Sequence, residues 1–311
     1  MPHTHSPKTL VLGGTGFVGR HVCERLSWLG HTITVPTRRL SSARSVQMIP
    51  GVHAVEANVH HAPTLNQLVR GQDAVINLVA ILHGSANDFD HVHVQLPQQL
   101  AQACASQNVH RLVHVSALGA DVHGPSQYQR SKGRGEQALL TAAAEQHLAL
   151  TLLRPSVIFG KDDQFINLFA KLQRIFPIMP LAGARTRFQP VWVQDVAQAI
   201  VHALTHADTI GHTYELCGPD VLSLSELVAL AGRHVHATRP IVPLPHAVGW
   251  AQALLMEWLP GPTLMSRDNL ASMQVDNIAT GRVPSLRALG VQEPMPLQRV
   301  FPPRQRASTP R

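Results

Sequence analysis

The chain is short of aromatic rings, cysteines and long apolar runs, and each scarcity excludes something. Two tyrosines, four tryptophans and eight phenylalanines make up 5% of its 311 residues. Basic stretches interleaved with stacking rings are therefore missing, and nucleic acid is not an expected partner. The three cysteines, Cys23, Cys104 and Cys217, stand far apart. Reduced thiols of a cytoplasmic compartment are expected, not a disulfide framework or a zinc knuckle. The nearest thing to a membrane span, Ala247 to Leu259, is well short of the ~20 apolar residues that crossing needs. Met1 to Pro7 is short and polar, without the apolar stretch of a signal peptide. Twenty histidines include His60-His61, His91/His93 and His234/His236, but no Asp, Glu or Cys clusters with them. Ordinary core and surface histidines are the reading, with no metal site.

What is present suits a sizeable core and two domains: 44% hydrophobic residues, and a net charge of +7 from 26 basic and 19 acidic side chains. That balance favours an anionic lipid surface or an acidic protein partner over nucleic acid.

The most informative stretch is residues 8–20. An apolar strand, Thr9 to Leu12, runs into Gly13-Gly14-Thr15-Gly16-Phe17-Val18-Gly19, and a helix opens behind it with Val18, Val22, Leu26 and Leu29 at helical spacing. Gly13 or Gly14 allows the tight turn, Gly16 lets the backbone approach a pyrophosphate, and Gly19 lets the helix pack closely. The helix N-terminus offers N–H groups and a positive dipole end. This is a dinucleotide loop, and its seven residues are the first cofactor-binding candidates.

Which dinucleotide follows from the second strand, Thr32 to Val35, which ends in Pro36-Thr37-Arg38-Arg39. An NAD site places an Asp or Glu there for the ribose 2′-hydroxyl. Between Glu24 and Glu56 no acidic residue occurs, while Arg38, Arg39 and Arg44 gather. A guanidinium fork suits a 2′-phosphate, so Arg38 and Arg39 predict NADP(H).

Apolar strands then alternate with helical patterns as far as Gly160. Strands are predicted at Val52 to Ala57, Ala74 to Val79, Arg111 to Val115 and Ala149 to Leu153, with helices at Ala62 to Val69, Val92 to Ser106 and Gln129 to Glu145. This predicts an α/β fold, a doubly wound parallel sheet of Rossmann type with a smaller C-terminal lobe. The expected division is residues 1–160 for the NADP(H)-binding domain and 161–311 for the substrate- or partner-side lobe. Segment 190–217 is expected to return to the sheet, and the tail after about Pro302 to be flexible.

The second chemical cluster is Ser116, Tyr128 and Lys132. Ser116 ends a strand, at the carboxyl edge where such sheets bind ligands. Tyr128 and Lys132, four apart, share one helix face. An ammonium beside the phenol favours the phenolate and is expected to bring its pKa down toward working pH. Such a tyrosine exchanges a proton with a carbonyl or alcohol while a nicotinamide carries hydride.

Together these motifs resemble the short-chain dehydrogenase/reductase superfamily in its extended, epimerase/dehydratase-like form, from Lys8 to roughly Leu230. The resemblance also rests on Asn77-Leu78-Val79-Ala80, Arg154-Pro155-Ser156-Val157-Ile158-Phe159-Gly160, Val193-Gln194-Asp195-Val196-Ala197 and Tyr214-Glu215-Leu216-Cys217-Gly218. It implies that Asn58 lies near the adenine, Ala80 lines the cofactor cleft, Lys132 holds the nicotinamide ribose, and Pro155 to Val157 flank the nicotinamide. Within the superfamily, Val113-His114-Val115-Ser116-Ala117-Leu118-Gly119-Ala120, Arg130-Ser131-Lys132-Gly133, Phe165, Asp268-Asn269-Leu270 and Asp276-Asn277 resemble the branch of the NADPH-binding accessory subunit of respiratory complex I.

Two departures from the enzymatic pattern stand out. His93 occupies the place where many relatives carry an Asn that backs the proton relay. Ser116 is followed by Ala117-Leu118-Gly119, which withdraws support from a nucleotide-sugar substrate. Two functions follow from the resemblance. One is an NADP(H)-dependent oxidoreductase on an apolar carbonyl or alcohol, with a quinone-like molecule among the candidates. The other is a non-catalytic NADPH-binding accessory or assembly protein of a respiratory or ubiquinone-synthesis complex, cytoplasmic and peripheral at the inner membrane. The Ala247–Leu259 segment, with Trp250, Leu254 and Trp258 four apart, reads either as a core helix of the small lobe or a cover over the substrate cleft, or as an apolar surface for a quinone tail, a bilayer or a partner.

Overall fold

The computed structural model describes residues 6–258 and 265–302; Leu259 and the tail beyond Pro302 lie outside that range. In chain order the first half contains β1 (Lys8–Leu12), α1 (Phe17–Trp28), β2 (Thr32–Thr37), α2 (Arg44–Gln47), β3 (Val52–Glu56), α3 (Ala62–Val69) and β4 (Ala74–Asn77). Next come α4 (Ala86–Asp90), α5 (Leu96–Ser106), β5 (Arg111–Val115), α6 (Gln127–Gln146) and β6 (Ala149–Pro155). The remainder holds β7 (Ile158–Phe159), α7 (Ile166–Ile175), β8 (Met179–Leu181), β9 (Arg187–Phe188), β10 (Val191–Trp192) and α8 (Val193–Thr205). It closes with β11 (Thr213–Leu216), β12 (Leu222–Ser223), α9 (Leu224–His234), β13 (Ile241–Pro243), α10 (His246–Trp258), α11 (Arg267–Ser272) and α12 (Leu297–Val300).

The chain forms two compact units. The first runs to Pro155 and takes in Val193–Leu216 and Thr280–Glu293; the second holds Ser156–Trp192, Cys217–Ala279 and the residues from Pro294 on. The first unit is a seven-stranded sheet in the order β11-β6-β5-β4-β1-β2-β3, parallel at every pairing. This is the expected doubly wound α/β fold. The strand order reverses between β1 and β4, and in such sheets the ligand crevice lies at the carboxyl edge beside that reversal. Thr9 to Leu12 of β1 and all of β4 are buried, as helices on both faces of a parallel sheet require. One core cluster joins Leu10, Leu12, Leu65, Val75, Leu96, Leu100, Leu112 and Leu152.

One predicted helix starts earlier than expected and changes pitch along its length. Instead of Val92 to Ser106, the chain turns helical at Ala86, passes through a π-helical turn at His91–Gln95 and resumes as α5. Pro97 explains the wider turn: it has no N–H for the His93 carbonyl and its ring crowds that oxygen, which the π-helical pitch relieves.

The second unit has three two-stranded sheets, β10-β7, β12-β9 and β13-β8. Its core gathers Phe159, Ile166, Phe169, Met179, Leu181, Phe188, Leu224, Leu227 and Val228.

Candidate functional site

The glycine loop leaves β1 through Gly13, whose φ of +80° only glycine adopts without strain. This settles which of the first two glycines makes the turn. The Gly16 N–H donates to the Gly13 carbonyl (3.0 Å). A Cβ on Gly19 would lie 2.3 Å from the Gly13 oxygen and 2.5 Å from the Gly14 Cα. The helix therefore rides directly on the loop backbone. Around Gly16 a Cβ would meet only the Gly13 oxygen, at 3.2 Å, and Gly16 is exposed. Space in front of Gly16 is open, whereas its neighbours are glycine because the protein itself is in the way. Gly16 caps α1 with no side-chain hydrogen bond, and the first turn holds no acidic residue. Thr15, Phe17 and Val18, half-buried, complete a helix terminus that fits a pyrophosphate.

Arg38 and Arg39 follow β2 and are exposed. The sequence reading missed a carboxylate at this point: Glu56, at the end of β3 opposite Thr37, accepts the Leu40 N–H through Oε2 (3.2 Å). It fastens the arginine loop to the neighbouring strand. Asn58, also exposed, turns its Oδ1 to the His60 N–H (3.0 Å). Ala80 is exposed three residues past β4. Pro155 closes β6, and its carbonyl accepts the Leu118 N–H (2.8 Å). Val157 belongs to the second unit, where its carbonyl accepts from Val191 (3.0 Å).

Ser116, Tyr128 and Lys132 are positioned by β5 and α6. The helix starts where it does because Ser126 and Gln129 form a capping box: Ser126 Oγ accepts the Gln129 N–H (3.1 Å), and Gln129 Oε1 accepts the Ser126 N–H (3.3 Å). Tyr128 thus lies in the first turn and Lys132 in the second. Lys132, 3% exposed, donates from Nζ to the Val115 carbonyl (3.4 Å), one residue before Ser116. Ser116 is 4% exposed, and its Oγ is buried with no hydrogen-bond partner. Leaving a hydroxyl so costs about 1–3 kcal/mol, which a ligand oxygen accepting from it would recover.

The charge reading of Tyr128 needs correction. Burial pushes its hydroxyl up to about 12; Lys132 does not bring it down. Burial also lowers the Lys132 ammonium to about 8, with Glu136 pulling the other way. Desolvation outweighs the charge argument because α6 buries Lys132 fully and Tyr128 in part, and the cost of charging each in that position exceeds what the other returns.

His93 does something the sequence did not suggest. Its Nε2 accepts the Ile81 N–H (3.2 Å), so Nδ1 carries the proton and donates to Ser131 Oγ (2.8 Å). Ser131 Oγ in turn donates to the Tyr128 carbonyl (2.8 Å). The His93 ring stands edge-to-face on the Tyr128 ring, 5.5 Å between centroids. Gly135 makes this approach possible, since a Cβ there would overlap the His93 carbonyl. Both imidazole nitrogens are occupied, so His93 positions Tyr128 and is no open relay.

Burial, then the Lys132 charge, hold His93 at about 2. His114, whose Nδ1 faces Asn77 Nδ2 at 3.1 Å, is held at about 3 for the same reasons. Both are neutral when folded, whereas an unfolded chain protonates them below about 6.5. Stability is therefore complete above pH 6.5 and is lost as pH falls toward the folded values, by about 1.4 kcal/mol per pH unit for each group. Urea midpoints should drop steeply between pH 6.5 and 4.5, and less steeply in His114→Gln; an unchanged midpoint would contradict the burial.

In the second unit, Ser156 Oγ donates to Asn277 Oδ1 (2.6 Å), and Arg187 holds Asp276 through Nε (2.9 Å). α10 buries only Gly249 and Ala253, while Val248, Trp250, Leu255 and Trp258 are 44–80% exposed. A core helix fits only part of this segment: Gly249 and Ala253 face inward, Leu254 is half-buried, and the exposed large apolar residues face outward. No helix among the described residues is long and apolar enough to cross a membrane.

Comparison with known proteins accords with this geometry. The family described as NAD dependent epimerase/dehydratase matches residues 9–217. Subunit 9 of the mouse (Mus musculus) mitochondrial NADH dehydrogenase [ubiquinone] 1 alpha subcomplex is 32% identical over 295 residues, 93% of this chain and 77% of its own. A ceramide reductase of Caulobacter vibrioides is 26% identical over 193 residues, covering 61% of this chain and 59% of its own. Among solved structures, the dTDP-glucose 4,6-dehydratase DesIV of Streptomyces venezuelae superposes with a TM-score of 0.67 at 22% identity, over 76% of this chain and 85% of that one. The chain belongs to the NAD-dependent epimerase/dehydratase family, within the extended short-chain dehydrogenase/reductases, and is related to the complex I subunit over most of its length.

Proposed function

We propose that the protein is an NADP(H)-dependent oxidoreductase of the short-chain type that reduces an apolar carbonyl. The observation that carries this reading is the buried, unpartnered Ser116 hydroxyl one residue from the Lys132 contact. A bound nicotinamide supplies hydride. Ser116 donates to the substrate carbonyl oxygen and orients it. Tyr128, kept protonated by burial, gives its proton to the alkoxide, which suits the reductive direction. Lys132 has ammonium protons beyond the one on Val115 and uses them on the nicotinamide ribose. The likeness to a ceramide reductase supports an apolar substrate.

The second reading is a non-catalytic NADPH-binding accessory protein of a respiratory or quinone-synthesis complex. The length-wide likeness to a complex I subunit favours it, as does the closed His93. The outward apolar face of α10 supports a place at the surface of the inner membrane in either case. Isolating the protein from membrane and soluble fractions, and identifying the nucleotide and lipid that accompany it, tests both location and cofactor. Recovery without any nicotinamide dinucleotide would count against both readings.

Cofactor choice is tested separately. With Arg38 and Arg39 at the end of β2, NADPH is expected to bind at least ~10-fold tighter than NADH, about 1.4 kcal/mol. One charge-assisted bond suffices for that ratio. Arg38→Ala with Arg39→Ala should erase most of it. Equal affinities in calorimetric titrations of the unaltered protein would end the assignment to NADP(H).

A further inference from the structure

Lys132 is a buried cation, and the groups packed around it offer little to hold its charge. From its own helix come Tyr128 and Glu136; β5 contributes His114, the π-helical turn His93, and β6 reaches the cluster through Arg154. Both imidazoles are neutral at physiological pH, and Lys132 repels their protonated forms. The Tyr128 phenol is protonated as well. That leaves Glu136, one helical turn beyond Lys132 and 3% exposed, as the acidic group acting on the ammonium. Glu136 is not free to swing toward it. The Arg154 guanidinium grips both carboxylate oxygens, with Nε at 2.9 Å from Oε1 and 3.1 Å from Oε2, and a terminal nitrogen also on Oε2. Glu215, itself fixed by the Thr280 N–H and hydroxyl at 2.7 Å each, and Asp121 add negative field on Arg154. Arg154 therefore holds the carboxylate directly, while the field of that carboxylate also reaches Lys132 from one helical turn away.

We propose that Glu136, oriented by Arg154, is the positioning residue that keeps Lys132 an ammonium at neutral pH, and that Arg154 sets the limit of that support. The two halves of the pair then act on Lys132 in opposite senses. Removing the carboxylate strips Lys132 of its counter-charge, whereas removing the guanidinium releases the whole field of the carboxylate to it. Loss of packing alone cannot produce opposite signs from two partners of one contact. The role matters to ligand binding only through the ribose contact given to Lys132 above, so on that point the inference rests on the proposed function.

The test reads the lysine directly. The chain has four lysines, and Lys8, Lys161 and Lys171 are exposed. In full-length protein labelled with [ε-13C]lysine, the resonance that vanishes in Lys132→Arg belongs to the site. Its midpoint is expected near pH 8. Glu136→Gln should lower that midpoint by about one pH unit or more, and Arg154→Met should raise it, with the other three lysines unmoved. Glu136→Asp should restore most of the native value. If Glu136→Gln does not fold, Glu136→Gln with Arg154→Met removes both charges and should still titrate below the native midpoint. A midpoint unchanged within about 0.3 units in the folded carboxylate variant, or lowered in Arg154→Met, overturns the proposal. NADPH titration of the same samples separates the two claims. A protein that shows these lysine shifts but binds no dinucleotide refutes the proposed function and leaves the role of Glu136 standing.

Discussion

Gly16→Val is expected to abolish NADPH binding while the protein stays folded. Gly16 lies in extended backbone (φ −77°, ψ 176°) that valine adopts readily, and a Cβ there touches nothing closer than the Gly13 oxygen at 3.2 Å. The valine methyls instead fill the space in which a pyrophosphate must meet the α1 N-terminus. Gly19→Val makes the contrast. Its Cβ would overlap the Gly13 oxygen, so that variant should lose stability first and binding only as a consequence. Calorimetric titration with NADPH beside a thermal melt distinguishes the two losses. Retained affinity in folded Gly16→Val would mean the loop does not face a dinucleotide.

Tyr128→Phe separates enzyme from accessory protein. The substitution removes one hydroxyl and keeps the ring that packs against His93 and Phe89. If Tyr128 is the proton donor, the rate should fall by at least ~10²-fold, with NADPH affinity little changed. Lys132→Ala should damage both, since it removes the ribose contact and the charge. The decisive comparison is complementation of a deletion strain, scored by respiration and quinone content. Rescue by Tyr128→Phe but not by Gly16→Val would end the oxidoreductase reading in favour of the accessory role. Failure of both variants would support chemistry at Tyr128.

Much of the site was legible because its signals are local. Strand, glycine loop and helix follow one another within thirteen residues, and Gly16 and Gly19 answer to a gap and a contact within the loop itself, although Gly13 and Gly14 pack on the distant Leu78 and Val35. The spacing of Tyr128 and Lys132 puts them on one helix face whatever surrounds the helix. A strand that ends in Ser116 has only one edge of a parallel sheet to end on. Six of the seven sheet strands were readable for the same reason, from period and punctuation along the chain; of the segment 190–217, β11 joins the sheet while β10 pairs with β7 apart from it.

What the sequence by itself determined is thus the parallel sheet, the glycine turn between β1 and α1, and the placing of Tyr128 and Lys132 on one helix. Glu136 stands four residues after Lys132 and could have been noticed; that Arg154, eighteen residues on, takes both its oxygens could not. The same holds for Glu56 on the arginine loop, for Asn77 against His114, and for Thr280–Glu293 joining the first unit. The protonation of Tyr128 was misread because neighbouring charge is visible in a sequence while desolvation is not. Burial is set by how many distant segments close over a group, and so is the outward turn of Trp258 on α10. Both are properties of packing between remote parts of the chain, and only the tertiary structure decides them.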